Sequence, residues 1–287
     1  MGQPLPFNRP ICKMKYSGNL PTTNVNVTEI SPLKEIATLV TGLLLFVLII
    51  YWILGLGIDF AVENLTPQQE QSLSLMANKE LFSMSHKNEI SSILQKTIDA
   101  LQNKCVYLPY KVNIYAIDNK GVNAIALPGG TILVFSGLLK KVRSENELTF
   151  ILAHELGHFK NKDHLRGMGR AIVLMVLFSM ILGESSGIDE ILTSFFTFSE
   201  SSHSRAQESK ADAKALKVVQ CHYGHVGGST KLFEGMLKEE ESRVFGHFLA
   251  SHPTHTQRIK NIENQINKFG YKQGAVISIK NDFTSAG

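Results

Sequence analysis

The chain has 287 residues, 44% of them hydrophobic and 19% charged, enough apolar material for one sizeable core with some left over. Its formal net charge is +4. The basic residues are scattered, leaving no stripe of the kind that binds nucleic acid.

Residues 1–35 are rich in Pro, Asn and Thr and read as a flexible cytoplasmic tail. Residues 36–58 (IATLVTGLLLFVLIIYWILGLGI) then run 23 positions without a charge, long enough to cross about 30 Å of hydrocarbon. Tyr51 and Trp52 suit a membrane interface. A cleaved signal peptide is the competing reading, but the run is long, starts far from Met1 and lacks a clear small-x-small cleavage site, which favours a single uncleaved anchor. Arg9, Lys13, Lys15 and Lys34 precede it, whereas the first basic residue beyond it is Lys79, after Asp59, Glu63 and Glu70. The positive-inside bias therefore keeps the N-terminus in the cytoplasm and sends the rest across, in a bacterium to the periplasmic side of the inner membrane.

Thr66-Pro67 marks a helix start, and Ile90, Ile93, Leu94, Ile98 and Leu101 mark a second, amphipathic helix. The period then changes to two at Val112, Ile114 and Ala116, again over 122–127, and again over 131–135 after Pro128-Gly129-Gly130. Three short strands follow, with 118–121 as a hairpin turn. From Ser144 onward the pattern is helical apart from a Gly-rich connection at 224–228. The 13-residue apolar run 171–183 is too short to span a bilayer; it reads as a buried helix leading to 188–198, or else as a surface that dips into lipid. Cys12 falls in the tail, so Cys105 and Cys221 are the only pair able to meet in an oxidising compartment. With no CxxC present, each reads as a small buried hydrophobe rather than half of a bridge.

Residues 150–160 (FILAHELGHFK) carry the chemistry. Ser144 and Glu147 form an S-x-x-E capping box, and Leu148, Ile151, Leu152, Leu156 and Phe159 recur at helical spacings, so the HExxH lies inside a helix. Residues four apart on a helix share a face; His154 and His158 can therefore bind one Zn²⁺, with Glu155 beside the reacting water as general base. A catalytic zinc wants a third protein ligand. Residues 205–212 (RAQESKAD) offer Glu208, and Asp212, one turn on, can accept the other ring N–H of a zinc-bound histidine. One Zn²⁺ per chain is expected.

HELGH, then ESKAD, then Ser251-His252-Pro253-Thr254 with Arg258 downstream, preceded by NAIALPGG at 123–130, resembles the gluzincin family of the CAAX prenyl protease, the HtpX heat-shock peptidases and the Oma-type stress peptidases. The likeness is to its single-membrane-anchor branch. It implies an α+β, mainly α, zincin-like metallopeptidase domain with a small antiparallel sheet, preceded by one N-terminal transmembrane helix. The boundaries are a tail over 1–35, an anchor over 36–58, the metallopeptidase domain over 59–270 and a C-terminal tail over 271–287. Asn123, Ala124, Ile125 and Ala126 would form an edge strand that takes an extended peptide substrate as an extra strand, unless the strand is an ordinary internal one. His252 and Arg258 match family positions that resemble oxyanion donors. His252 could instead gate the metal, and it competes with His247 and His255 in the same stretch; Arg258 could instead be a structural partner of Glu208 or Asp212.

The resulting expectation is a membrane-anchored zinc endopeptidase that acts on proteins or peptides in envelope quality control. Prenyl-cysteine processing is disfavoured, because relatives with that activity enclose their site in many spans. A protein-binding or chaperone-like module with an inactive or regulatory zinc site is the alternative, and the intact Glu155 argues against it. A secreted binding protein with accidental motifs is a third reading.

Overall fold

The computed structural model describes Gly18 and residues 31–77, 89–182, 203–238, 252 and 255–279. The expected stretch 188–198, together with His247, Ser251 and Pro253, lies outside them. Two units are distinguished, 1–49 and 50–287.

The long helix α1 (Pro32–Asn64) begins in the first unit and ends in the second. Proline at its first position fits a helix start, and α1 is long and apolar enough to cross a membrane. Most of its apolar side chains, including Leu39, Phe46 and Trp52, are exposed, while Val62 near its end is buried. In the second unit, α2 (Pro67–Ala77) starts from a capping box in which the Thr66 hydroxyl accepts the Gln69 N–H and Gln69 Oε1 accepts the Thr66 N–H at 2.9 Å.

Helix α3 (Glu89–Lys104) buries Ile90, Leu94, Ile98 and Leu101 on one face. Strands β1 (Asn113–Ile117), β2 (Ala124–Leu127) and β3 (Thr131–Phe135) form a sheet in the order β1-β3-β2. The sheet is mixed rather than antiparallel: β1 joins β3 in parallel, with Ile114 opposite Ile132, and β2 joins β3 antiparallel, with Ile125 opposite Leu133. The expected hairpin at 118–121 is therefore replaced by one at Pro128-Gly129-Gly130, where Gly129 and Gly130 hold φ of 78° and 81°, a region that favours glycine. Segment 118–121 makes a local turn instead, with Asn119 Oδ1 accepting the Gly121 N–H at 2.8 Å and the Asn119 carbonyl accepting Gly137 N–H at 2.9 Å. It thereby holds the start of α4 (Ser136–Leu139). Central β3 is buried at every position, as a strand covered on both faces must be.

The two outer strands end differently. On β1 the outer edge is taken by α3: Gln95 bonds the Val112 carbonyl and the Ile114 N–H at 2.9 and 3.0 Å, and Ser91 accepts from Ala116 N–H at 2.9 Å. Strand β2 pairs with β3 alone and is the remaining edge among the described strands.

The helical half holds α5 (Glu145–Asn161), α6 (Asp163–Leu182), α7 (Arg205–Tyr223), α8 (Lys231–Lys238) and α9 (His255–Phe269). The run 171–182 lies in α6, with Ala171 buried and Ile172 partly exposed. Helices α5 and α7 run antiparallel, since Thr149 meets Tyr223 while Gly157 meets Ala211. A Cβ on Gly157 would come within 3.1 Å of the Ala211 backbone, so glycine permits this close approach. Residues 271–279 lie across the start of α5, where the Ile277 carbonyl accepts the Glu145 N–H at 2.9 Å and relieves one free helix donor. Cys105 and Cys221 form a disulfide with Cα atoms 5.8 Å apart, contrary to the expectation of separate thiols. Their 116-residue separation hides the fact that α3 and α7 end side by side.

Candidate metal centre

Ser144 caps α5, accepting the Glu147 N–H at 3.2 Å, while the Glu147 carboxylate returns to the Arg143 N–H at 3.1 Å. The helix so started buries His154, Glu155 and His158 together. A second capping box, between Ser204 and Gln207, starts α7 and sets Glu208 in its first turn, with Ala211, Ala215 and Leu216 packed inward.

The structure brings His154, His158 and Glu208 to one point. His154 Nε2 and His158 Nε2 are 3.0 Å apart, and the Glu208 oxygens lie 3.5 and 3.3 Å from them. His252 joins this group, its Nδ1 resting 3.0 and 3.1 Å from the same carboxylate. All four residues are buried, with ligand atoms within 4.8 Å of one another. Ligand atoms ~2.0–2.1 Å from a tetrahedral zinc ion stand ~3.3 Å apart, so the observed spacings fit that ion, and imidazole with carboxylate is a fitting donor set.

Two carboxylates orient the rings. Asp212 Oδ1 lies 2.9 Å from His154 Nδ1, and Asp163 Oδ2 lies 2.9 Å from His158 Nδ1. Each takes a ring N–H and leaves the Nε2 lone pair facing Glu208. Burial is the largest single influence and would raise both aspartates; at Asp212 the charge of Arg258 together with the hydrogen bond and charge of His154, and at Asp163 the hydrogen bond and charge of His158 together with hydrogen bonds from Gln207 and Asn161, outweigh it in sum, so both carboxyls are held low. Burial opposes charge on the His158 ring, yet hydrogen bonds to Asp163 and Glu208 push it up to about 10. Carboxylates that favour a proton on an imidazole favour a cation at the same place.

Arg258 directs its donors at acids. Its Nε and Nη2 reach Asp212 at 3.0 and 2.6 Å, its Nη1 lies 2.6 Å from Glu208, and its head stacks 4.4 Å above the Phe233 ring. Of the two roles open to it, the contacts are those of a partner to Glu208 and Asp212. Glu155 Oε1 is buried without a hydrogen-bond partner among the described residues, 3.7 Å from His252 Nε2. Asn123 is buried beside β2, which carries Ala124, Ile125 and Ala126 along the open sheet edge. The Phe135 N–H bonds the Asn123 carbonyl, so by alternation Ala124 and Ala126 aim their backbone groups away from β3.

The sequence reading missed two residues here. Asp163 lies past the end of α5, where Lys162 adopts φ 56°, and that left-handed turn folds the carboxylate back onto His158 in a way no helical period predicts. His203, just before the cap of α7, stacks on His158 with centroids 4.0 Å apart and planes at 16°; burial pushes its ring down to about 2.

The profile of peptidase family M48 matches residues 85–266, a stretch that contains every one of these groups. The chain belongs to peptidase family M48. It is similar to the metalloprotease LoiP of Escherichia coli K12, 27% identical over 228 residues that cover 74% of this chain and 86% of LoiP. It is 26% identical to the E. coli metalloprotease YcaL over 67% of this chain and 78% of YcaL. It is also 26% identical to the mitochondrial metalloendopeptidase OMA1 of Saccharomyces cerevisiae over 62% of this chain, which spans about half, 54%, of that relative's length. As an M48 member, this chain is a metallopeptidase by class.

Proposed function

We propose that this M48 chain is a zinc endopeptidase, anchored by one helix, that cleaves proteins or peptides on the non-cytoplasmic side of a membrane as part of envelope quality control. The observation that carries the reading is the convergence of three lone-pair donors from His154, His158 and Glu208 beside Glu155, whose Oε1 accepts no hydrogen bond from the described residues. A zinc ion held by those three would supply Lewis acidity toward water and the scissile carbonyl.

Glu155 accepts the proton of the attacking water and returns it to the departing amine. Asp212 and Asp163 fix the tautomers of His154 and His158, and Arg258 holds Asp212 and Glu208 in place. The Ala124 carbonyl and the Ala126 main chain face outward from β2 as partners for an extended substrate, the Ala124 N–H being bonded to Asn123 Oδ1 at 2.9 Å, and such pairing suits a protease with little regard for side-chain identity. His252 rests with Nδ1 on Glu208 and Nε2 3.7 Å from Glu155, close over the ligand atoms, and this position supports the gate over the oxyanion role.

The length of α1 and the basic residues before it support an anchor over 36–58, a tail over 1–35, a catalytic domain over 59–270 and a short tail over 271–287. The Cys105–Cys221 bridge supports an oxidising compartment for the catalytic domain. The decisive experiment uses the full-length chain in detergent. One zinc per chain is expected in wild type and in Glu155→Gln, with casein cleavage lost on the order of 10²–10⁴-fold in the variant, since Gln cannot accept the proton. A Glu155→Gln protein that keeps most of its cleavage overturns the reading. Proteins that accumulate in the envelope only with the variant would identify the substrates.

A further inference from the structure

Helices α5 and α7 have a second shared surface, on the side away from the metal residues. A crevice of about 240 Å³ opens there, lined by half-buried Cys105 and Val106 and by Tyr107, which is 79% exposed, over the buried Ala153, Leu156 and Val218. Lys160 from α5 and Lys214 and Lys217 from α7 stand on its rim. Lys210, Lys214 and Lys217 follow one another at helical spacing, so they share a face of α7.

These lysines have neutral contacts. Lys160 donates to the Tyr107 carbonyl at 3.1 Å and Lys214 to Asn161 Oδ1. Among the described residues no carboxylate lies within ion-pairing distance of Lys160, Lys214 or Lys217. Burial lowers the Lys214 ammonium, and the charges of Lys160, Lys210 and Lys217 lower it further against the pull of Asp163. The rim therefore carries an excess of positive charge over an apolar floor.

We infer that this crevice binds an anionic amphiphile, a single acyl chain whose carboxylate or phosphate head sits among Lys160, Lys214 and Lys217. The volume falls just below the range of ~300–1,000 Å³ for drug-sized sites, which suits one inserted chain rather than a folded ligand. An acidic peptide fits less well, because the open strand edge is on β2 and no strand borders the crevice to pair with an extended backbone. A free anion alone would make no use of the apolar lining of Val106 and Tyr107. Ala153 and Leu156 flank His154 and His158 in sequence, so the occupant would rest against the same two helices that carry the metal residues.

The test titrates the full-length chain, in nonionic detergent, with hexanoate, octanoate and octyl phosphate, and with octanol, acetate and inorganic phosphate as controls. Octanoate is expected to bind about fifteenfold more tightly than hexanoate, because each of its two further methylenes, if buried, strengthens binding about fourfold. Octanol and the chainless anions should not bind in the same range. Lys160→Glu with Lys217→Glu should weaken octanoate about tenfold and leave casein cleavage unchanged, both positions being exposed. A photoactivatable octanoate should label residues near 105–107, 153–160 or 214–218 in wild type, which keeps the test decisive even if the double variant folds poorly. Tighter octyl phosphate assigns a phospholipid-like head and tighter octanoate a free fatty acid; either supports the site. Equal binding of octanol, binding of acetate or phosphate alone at octanoate's strength, unaltered binding by the folded double variant, or labelling confined to α1 overturns it.

Discussion

Asp163 shows how much one side chain outside the motif can contribute. Its carboxylate is held by Gln207 Nε2 at 3.1 Å and Asn161 Nδ2 at 3.2 Å, so it meets the His158 ring from a fixed position. Asp163→Ala should keep the fold and lower zinc affinity about 10 to 100-fold, read by competition with a chelator, because the ring loses both tautomer and orientation. Unchanged affinity would remove Asp163 from the centre. His252 makes the opposite kind of prediction. If it rests on the cluster as a gate, His252→Ala raises basal and self-cleaving activity; if it serves the oxyanion, kcat falls with KM nearly constant. Steady-state kinetics on a peptide substrate distinguish them, and the contact with Glu208 leads us to expect the rise. That His154 shares a face with His158, and Glu208 with Asp212, was legible because helical spacing sets which side chains share a face; that α7 lies against α5 depends on packing, which spacing does not give. Asp163 and His203 were not legible, since a left-handed turn and a loop before a cap set their directions.

Elements meet through buried polar joints as well as through the core. Glu70 on α2 accepts from the Tyr110 hydroxyl at 2.5 Å and lies 3.1 Å from His164 Nε2 on α6. Beside this joint Lys162 donates to the carbonyls of Val62 and Leu65 at 3.0 and 2.9 Å, satisfying free acceptors where α1 ends. Burial by itself would raise the Glu70 carboxyl, but the hydrogen bonds from His164 and Tyr110 outweigh it and hold the folded value below the ordinary 4.5. The unfolded chain thus takes up the proton first on acidification. The stability contributed by this group is complete above the ordinary carboxylate range and is lost as pH falls through it toward the folded value. Glu70→Gln should therefore cost about 1–3 kcal/mol near neutral pH, with a gap from wild type that narrows below about pH 4.5. Denaturant melts at several pH values check this, and a constant gap would mean that Glu70 stays ionised in neither state or in both. The sheet illustrates the limit of reading elements from sequence. All three strands were visible in the period of two, yet their pairing was not, because Asp118-Asn119 and Pro128-Gly129-Gly130 both signal turns and only tertiary packing decides which closes a hairpin.

At the scale of the whole molecule, two independent features bear on which compartment holds the catalytic domain. Arg9, Lys13, Lys15 and Lys34 before the apolar helix support, by the positive-inside bias, the proposed placement of the N-terminal side in the cytoplasm. The Cys105–Cys221 bridge closes a loop of 116 residues and persists only where thiols are not kept reduced. Both support the proposed placement of the catalytic domain across the membrane, which would leave Cys12 in the reducing cytoplasm. Acid-quenched cells, denatured and alkylated without a reductant, should therefore yield one modified cysteine per chain, at Cys12, and three after reduction. A chain-entropy argument for a loop on the order of 100 residues gives the bridge about 4–5 kcal/mol, so Cys105→Ser with Cys221→Ser should melt at a visibly lower temperature. In spheroplasts, protease should reach the catalytic domain from outside, and a reporter fused after Gly287 should be active only there. Three free thiols before reduction, together with a reporter active in the cytoplasm, would place the domain on the other side of the membrane and leave the flanking charges as the feature that misled.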